Sequence, residues 1–327
     1  MRRREFIARA GGALVAWPLA ARGQPQATPV IGFLNGGSPE GYATLVAAYG
    51  QGLHTVGYVE NQNVAVEYRW ARGQYDRLPA MATDLVRSDV AVIAATSTPA
   101  ALAAKSTTAT IPIVFETASD PVRIGLVASL NRPGGNITGV TQSNIEVAPK
   151  RLELLHELVP KANAMALLVN PANAVLAETQ SKDLLSAAST LGLELHFLNA
   201  SSERHFDDVF ADVIKLRVGG LVISTDPLFT SWTKHLATLA ARHGVPAAFA
   251  RHEFTATGGL LSYRTDAADA YRLAGIYTGR ILKGEKPADL AVQQSTKVEL
   301  SINVKTAKAL GLAIPPTLLA RADEVIE

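Results

Sequence analysis

There is no cysteine in this chain of 327 residues. That excludes disulfides, thiolate metal ligands, cysteine nucleophiles and the lipid-modified cysteine of an anchored lipoprotein. It does not place the chain in a reducing compartment, because an exported protein with a large enough core needs no disulfide. Catalytic signatures are scarce too. Ser38 stands in Gly36-Gly37-Ser38-Pro39-Glu40, without the second glycine of a nucleophile elbow. Gly279 and Gly284 have the spacing of a phosphate loop, but Glu285 replaces its lysine and no strand precedes them. His252-Glu253 lacks the following histidine of a metalloprotease, and the seven histidines include no pair four residues apart. No dinucleotide glycine pattern follows the first apolar run, where Asn35-Gly36-Gly37-Ser38 stands. The chain is therefore read as a non-enzyme, with no catalytic residue, cofactor or metal assigned. A triad assembled from distant residues stays open. Short-period repeats and low-complexity linkers are absent, and no apolar stretch reaches the ~20 residues of a membrane span.

Charge of one sign is also missing once the first residues are set aside. Arg2-Arg3-Arg4-Glu5-Phe6-Ile7 precedes an apolar, small-residue stretch from Ala10 to Ala21, then Arg22-Gly23-Gln24-Pro25. A basic start, a short apolar core and small residues before a polar segment describe a cleavable export signal, taken as residues 1–27. Arg3-Arg4-x-Phe6-Ile7 resembles the twin-arginine variety. Cleavage after Ala21, Gly23 or Ala27 fits equally. Residues 1–23 hold five Arg and one Glu, so their removal takes the net charge from +2 to −2. The apparent basicity belongs to the signal, and it gives no support for nucleic-acid binding.

What is present is a recurrent unit. Five times Ser, Thr, Asp or Asn stands before Pro, after a short apolar run and ahead of a helix-like stretch: Ser38-Pro39, Thr98-Pro99, Asp120-Pro121, Asn170-Pro171 and Asp226-Pro227. Each side-chain oxygen can accept a bond from the next helix's free N–H groups, and proline fits the first helical position. Repeated strand–cap–helix units predict an α/β fold of mainly parallel sheets flanked by helices. Strands are expected at Val30–Leu34, Val64–Tyr68, Val90–Ala95, Ile111–Phe115 and Ile137–Val140. A second series is expected at Ala164–Val169, Leu193–Leu198, Gly220–Ser224 and Pro246–Phe249, then Leu260–Tyr263 and Val298–Ile302. Helices are expected between them, including Val122–Leu130, Ala267–Leu282 and Leu318–Val325. Two series of similar length imply two lobes: residues 28–143 with 260–293, and residues 144–259 with 294–327. Connections near 141–146, 257–264 and 293–298 would then form a hinge around a cleft.

Ligands of such sheets bind at the carboxyl ends of the strands, where the polar turns lie. In the first lobe the candidates are Asn35, Ser38, Ser97, Thr98, Thr117 and Ser119, and in the second Asn170, Asp226 and Arg251. Hydroxyls at helix N-termini suit a carboxylate or other small anion. Thr96-Ser97-Thr98 is the best such place, with Thr98 read as the cap and the Ser97 hydroxyl as the freer one. Asp226 is read as either a cap or a partner for an ammonium group, and Tyr42 or Phe229 as packing against an apolar side chain. Capping alone explains Ser38, Asp120 and Asn170 as well as a ligand does, and Arg251 can equally be a surface cation.

With these residues in view, the chain resembles the exported solute-binding proteins of ABC importers. Among them it is most similar to the type I family that includes tryptophan/tyrosine/phenylalanine-type members. The likeness rests on Ile31-Gly32-Phe33-Leu34, Ala118-Ser119-Asp120-Pro121-Val122, Asn131-Arg132-Pro133-Gly134-Gly135-Asn136-Ile137-Thr138-Gly139, and Ile302-Asn303-x-x-Thr306-Ala307-x-x-Leu310-Gly311-Leu312. It implies two lobes closing on a small molecule, an amino acid or other small carboxylate, in a periplasmic monomer serving an inner-membrane ABC permease. The rival readings are an exported α/β enzyme using Asp120, Asp226 or a histidine, and a ligand-sensing subunit of a membrane receptor.

Overall fold

The computed structural model describes residues 28–295 and 297–327, so the export signal expected over 1–27 lies outside the described residues. Through the first half, strands and helices alternate as β1 Val30–Asn35, α1 Pro39–Thr55, β2 Ala65–Trp70, α2 Leu78–Arg87, β3 Val92–Ala95, α3 Thr98–Thr107, β4 Ile113–Thr117 and β5 Ile137–Thr141. The second series runs α4 Ala148–Leu158, β6 Ala164–Val169, α5 Ala174–Leu191, β7 Glu194–Asn199, α6 Phe206–Leu216, β8 Leu221–Ile223, α7 Pro227–Ser231, α8 Thr233–Arg242, β9 Ala247–Phe249 and α9 His252–Ala256. The chain ends with β10 Leu261–Thr265, α10 Ala267–Leu282, β11 Gln293–Gln294, β12 Val298–Asn303, α11 Val304–Ala309, α12 Pro316–Leu319 and β13 Glu324–Ile326. Among the described residues no helix is long and apolar enough to cross a membrane.

The strands form two sheets, ordered β11-β5-β4-β3-β1-β2 and β13-β12-β10-β9-β8-β6-β7. All pairs are parallel except β10 with β12. Both faces of each sheet are covered, as parallel sheets require. Because side chains alternate along a strand, one strand feeds two cores. Ile31 and Phe33 of β1 enter a cluster beneath α1 and α10, while Leu34 enters one beneath α2 and α3. In the second lobe, Ala166 and Leu168 of β6 face one cluster, and Met165, Leu167 and Val169 the other.

Three expectations need correction. Leu261–Thr265 belongs to the second sheet, pairing with β9 and β12, so residues 260–265 do not join the first lobe. The chain crosses after β10, and only α10 and β11 return to the first lobe. A strand's own residues do not say which sheet edge will receive it. The helix expected over Val122–Leu130 is a run of turns. Asp120 Oδ1 accepts from the Val122 and Arg123 amides, and Gly125 sits at φ 72°, ending the helical path. The helix expected over Leu318–Val325 is α12 followed by a strand, because Glu324–Ile326 pairs in parallel with β12.

The returning helix α10 lies against α1 at glycine contacts. A Cβ on Gly52 would fall 1.9 Å from the Arg272 carbonyl oxygen, and one on Gly275 would fall 2.1 Å from that of Tyr49. The hydroxyl of Tyr49 meets that of Thr278 at 3.0 Å across the same seam. Gly275→Ala is therefore expected to destabilise the protein by ~2–3 kcal/mol, since neither backbone can retreat without moving a helix. Gly50, on the exposed side of α1 with nothing within 4 Å of its would-be Cβ, should gain ~0.5–1 kcal/mol on substitution by alanine. Urea unfolding of the two variants checks the pair.

Candidate functional site

The turns that follow the central strands of both sheets line one cleft between the lobes. About 480 Å³ of atom-free space lies there, open solvent included. The lobes touch at its mouth. Tyr75, between β2 and α2, donates its hydroxyl to Asp226 Oδ1 at 2.6 Å, and the Leu228 amide donates to the Tyr75 oxygen at 3.1 Å. The Ser38 amide donates to Ser231 Oγ at 2.9 Å. Gly41 permits this approach, since a Cβ there would fall 2.4 Å from the Ser231 Cα. At the periphery Arg123 and Asp183 form an exposed ion pair at 3.2 Å.

The first lobe contributes Ser97, Thr98, Glu116, Gln142, Tyr42 and Tyr271 to the cleft. Ser97 occupies the N-cap position of α3 with extended backbone, yet its hydroxyl accepts from the Gly36 amide at 3.0 Å. Thr98 opens the helix, and its hydroxyl pairs with that of Thr117 at 2.6 Å. Neither caps the helix, which corrects the reading of Thr98 as the cap. Glu116 lies within β4 and is 3 % exposed. Burial pushes its carboxyl up to about 7, against the pull of the Gln142 amide, Arg251 and Tyr271. Tyr271, on α10, donates to the Thr96 carbonyl at 2.7 Å, and burial raises its hydroxyl well above the usual range.

The second lobe contributes Thr225, Asp226, Thr230, Phe249 and Arg251. Asp226 Oδ1 accepts from Tyr75, from Asn170 Nδ2 at 3.0 Å and from the Leu228 amide at 2.9 Å, and Oδ2 accepts from Asn173 Nδ2 at 2.8 Å. It is a true N-cap of α7. Burial raises its carboxyl above the usual value, and the four donors oppose that rise. Arg251 precedes α9 and is 8 % exposed. Its Nη2 meets Glu253 Oε1 at 3.0 Å, while its buried Nε has no partner among the described residues. Among those residues no cluster of His, Asp or Glu is arranged to hold a metal. Opposed charges, hydroxyls and tyrosines around a small apolar floor can hold a polar solute by both ends.

The family model described as ABC transporter substrate binding protein matches residues 38–326. The chain belongs to that family. A tyrosine-binding protein of Clostridioides difficile is 27% identical over 260 residues, covering 80% of this chain and 74% of the relative. An ABC domain from Streptococcus pneumoniae solved in complex with L-Trp superposes with a TM-score of 0.80 at 26% identity, covering 92% of this chain and 100% of the other. A conserved domain protein of Vibrio cholerae gives 0.82 at 26% identity over 91% and 99%. The two-lobe fold is that of the type I periplasmic binding proteins, as the sequence motifs implied.

In this binding protein, Tyr42, Ser97, Thr98, Asp226 and Arg251 line the cleft. The other residues singled out from the sequence stand elsewhere. Asn35 sits behind the wall, tying the turn after β1 to Thr96 and Tyr271. Thr117 and Asn170 likewise hold turns, accepting from the Ser119 and Ala172 amides. Ser119 is buried with its hydroxyl unpartnered among the described residues, and Ser38 lies at the lobe contact. Phe229 requires correction: it is fully buried against Phe206 in the core of the second lobe, centroids 6.1 Å apart, because its side of α7 faces the sheet. Sequence reasoning missed Glu116, Gln142, Asn144, Tyr75 and Tyr271. For Glu116 the signal was a carboxylate one residue past the apolar run Ile111–Phe115. Tyr75 and Tyr271 look like ordinary helix residues.

The Tyr75–Asp226 bond exists only while the lobes touch. A bond to a charged acceptor contributes about 1.5 kcal/mol or more. Tyr75→Phe is therefore expected to lower the closed fraction of the ligand-free protein about tenfold. Small-angle scattering should report a larger radius of gyration, with the urea midpoint little changed. An unaltered scattering profile would show that this contact does not hold the lobes together.

Proposed function

We propose that this chain is the periplasmic receptor of an ABC importer, capturing one small carboxylate-bearing solute, an amino acid, between its lobes. The observation that carries the reading is the pairing of walls. Hydroxyls at the start of α3 and the Glu116 carboxylate face the Arg251 guanidinium, whose Nε lacks a partner among the described residues. A carboxylate suits Arg251 and the hydroxyls, and the tyrosines with Phe249 suit an apolar or aromatic side chain. The named relatives support an aromatic amino acid, one being a tyrosine-binding protein and another a complex with L-Trp.

The moving units are residues 28–143 with 266–295 and residues 144–265 with 297–327, supported by sheet membership. Both walls touch the solute only when these units close, so the closed form binds more tightly and a permease in the inner membrane can sense it. One chain supplies both walls, so a monomer suffices. The basic and apolar segment over residues 1–27, with Arg3-Arg4, supports export by the twin-arginine route and cleavage. The cleft groups act by holding the solute, which leaves unchanged.

Calorimetry on the protein lacking residues 1–27, against the common amino acids and aromatic acids, tests this directly. A micromolar ligand, about 8 kcal/mol, is expected among them. Arg251→Ala should weaken it about 100-fold, because the solute carboxylate loses its charged donor. Failure of every amino acid and small anion to bind would sink the proposal.

A further inference from the structure

The carboxylate of Glu116 has an environment unlike that of the other charges in the cleft. Asp226 is held by four donors, and Arg251 already meets Glu253. Gln142 Nε2 donates to Glu116 Oε1, the Tyr271 hydroxyl also stabilises the carboxylate, and no cation lies within ion-pair distance among the described residues. The carboxylate lines the cleft.

A chain of amides fixes what Glu116 must be. The Thr265 backbone N–H, which can only donate, donates to Asn144 Oδ1 at 2.9 Å. Asn144 Nδ2 must then be the donor to Gln142 Oε1 at 2.7 Å, and Gln142 Nε2 is left to donate to Glu116. Each orientation is set by the one before it. The relay ends on a donor, so it presents Glu116 as an acceptor and favours its ionised form.

We propose that Glu116 is the receptor for the solute's ammonium group and that it makes the site select amino acids over the same acids without the amine. The inference rests on the solute-binding reading given above and assigns the two ends of the ligand. The amine meets Glu116 on the first lobe, and the carboxylate meets Arg251 on the second. The charges lining the cleft support this, since Glu116 and Asp226 outnumber Arg251. A plain carboxylate entering alone meets two negative groups and one positive.

Ionisation of Glu116 adds a second readout. Facing it are the Gln142 amide, the hydroxyls of Tyr42 and Tyr271, and Arg251, with Asp226 in the same cleft. Burial holds the carboxyl near 7. Ammonium binding requires the carboxylate, so below that value a proton must leave first. Affinity is expected to fall as pH drops from 8 to 6, by up to about tenfold per unit below the midpoint.

The test is calorimetry on matched pairs: L-Phe with 3-phenylpropionate, L-Tyr with 3-(4-hydroxyphenyl)propionate, L-Trp with indole-3-propionate, and L-Leu with 4-methylpentanoate. The wild-type protein should prefer one amino acid over its deaminated twin by about 100-fold. Glu116→Gln, checked for folding by thermal unfolding, should cut that preference below about tenfold by weakening the amino acid alone. It should also flatten the pH dependence. A deaminated acid that binds within threefold of its amino acid overturns the inference while leaving the receptor reading intact, and needs no variant. A preference that survives Glu116→Gln overturns it as well. Binding of neither class overturns both.

Discussion

Asp226 is the point on which the two halves of the molecule agree. A buried carboxylate loses several kcal/mol of hydration unless donors replace the water. Here four do so, and they come from three places. Leu228 belongs to the helix Asp226 caps, Asn170 and Asn173 to the turn after the neighbouring strand β6, and Tyr75 to the opposite lobe. The same side chain therefore starts α7, aligns two strand-end turns and fastens the lobes. When the lobes part, three donors remain and water replaces the fourth, so the carboxylate survives opening. That is the property a reversible latch needs. A fully internal set of donors would be indifferent to closure, and a carboxylate satisfied only by the other lobe would make the open form too costly.

A second buried charge governs the crossings between lobes. Arg151 on α4 is wholly inaccessible, and burial pulls its guanidinium down to about 9. It has no carboxylate partner among the described residues. Instead Nε donates to the Tyr263 carbonyl at 3.0 Å and Nη2 to that of Asn144. Those carbonyls belong to two different crossings, the segment after β5 and the strand β10 that precedes α10. One side chain thus ties neighbouring backbone segments together, and Asn144 and Thr265 join the same knot through the amide relay to Gln142. The hinge is ordered by hydrogen bonds from buried side chains to its backbone.

Much of this was legible in the chain, and the reasons for the rest are physical. The repeated apolar run, polar residue and Pro announced strand–turn–helix units and so parallel sheets, although of the five polar residues only Asp226 caps its helix through its side chain. The crossing after β10 was misplaced because strand residues carry no record of which sheet edge accepts them. The turn over residues 121–130 has helical spacing, but Gly125 in the left-handed region decides it. Ligand residues were harder. A hydroxyl that caps a turn and one that holds a solute are the same residue type at the same place. Ser97 and Thr98 reach the cleft while Thr117 and Asn170 are consumed by turns, and only coordinates separate them. Phe229 shows the opposite failure, an aromatic near the right turn whose helix directs it into the core.

The arrangement of charges explains why a solute can shift this molecule's shape at all. A ligand moves an equilibrium only by its difference in affinity for the two states. Groups on one wall would hold a solute equally well with the lobes apart, and binding would then signal nothing. Here the polar groups are divided, with Glu116, Ser97 and Thr98 on one lobe and Arg251 and Thr225 on the other. With the lobes together, burial raises the Glu116 carboxyl, and Arg251 Nε and Thr225 Oγ1 are enclosed without partners among the described residues. Each is an unmet polar group of this arrangement, which a solute bearing both an acceptor and a donor would satisfy. Tyr75 and Asp226 join the lobes, and a solute that contacts both walls adds to that contact only in the closed form.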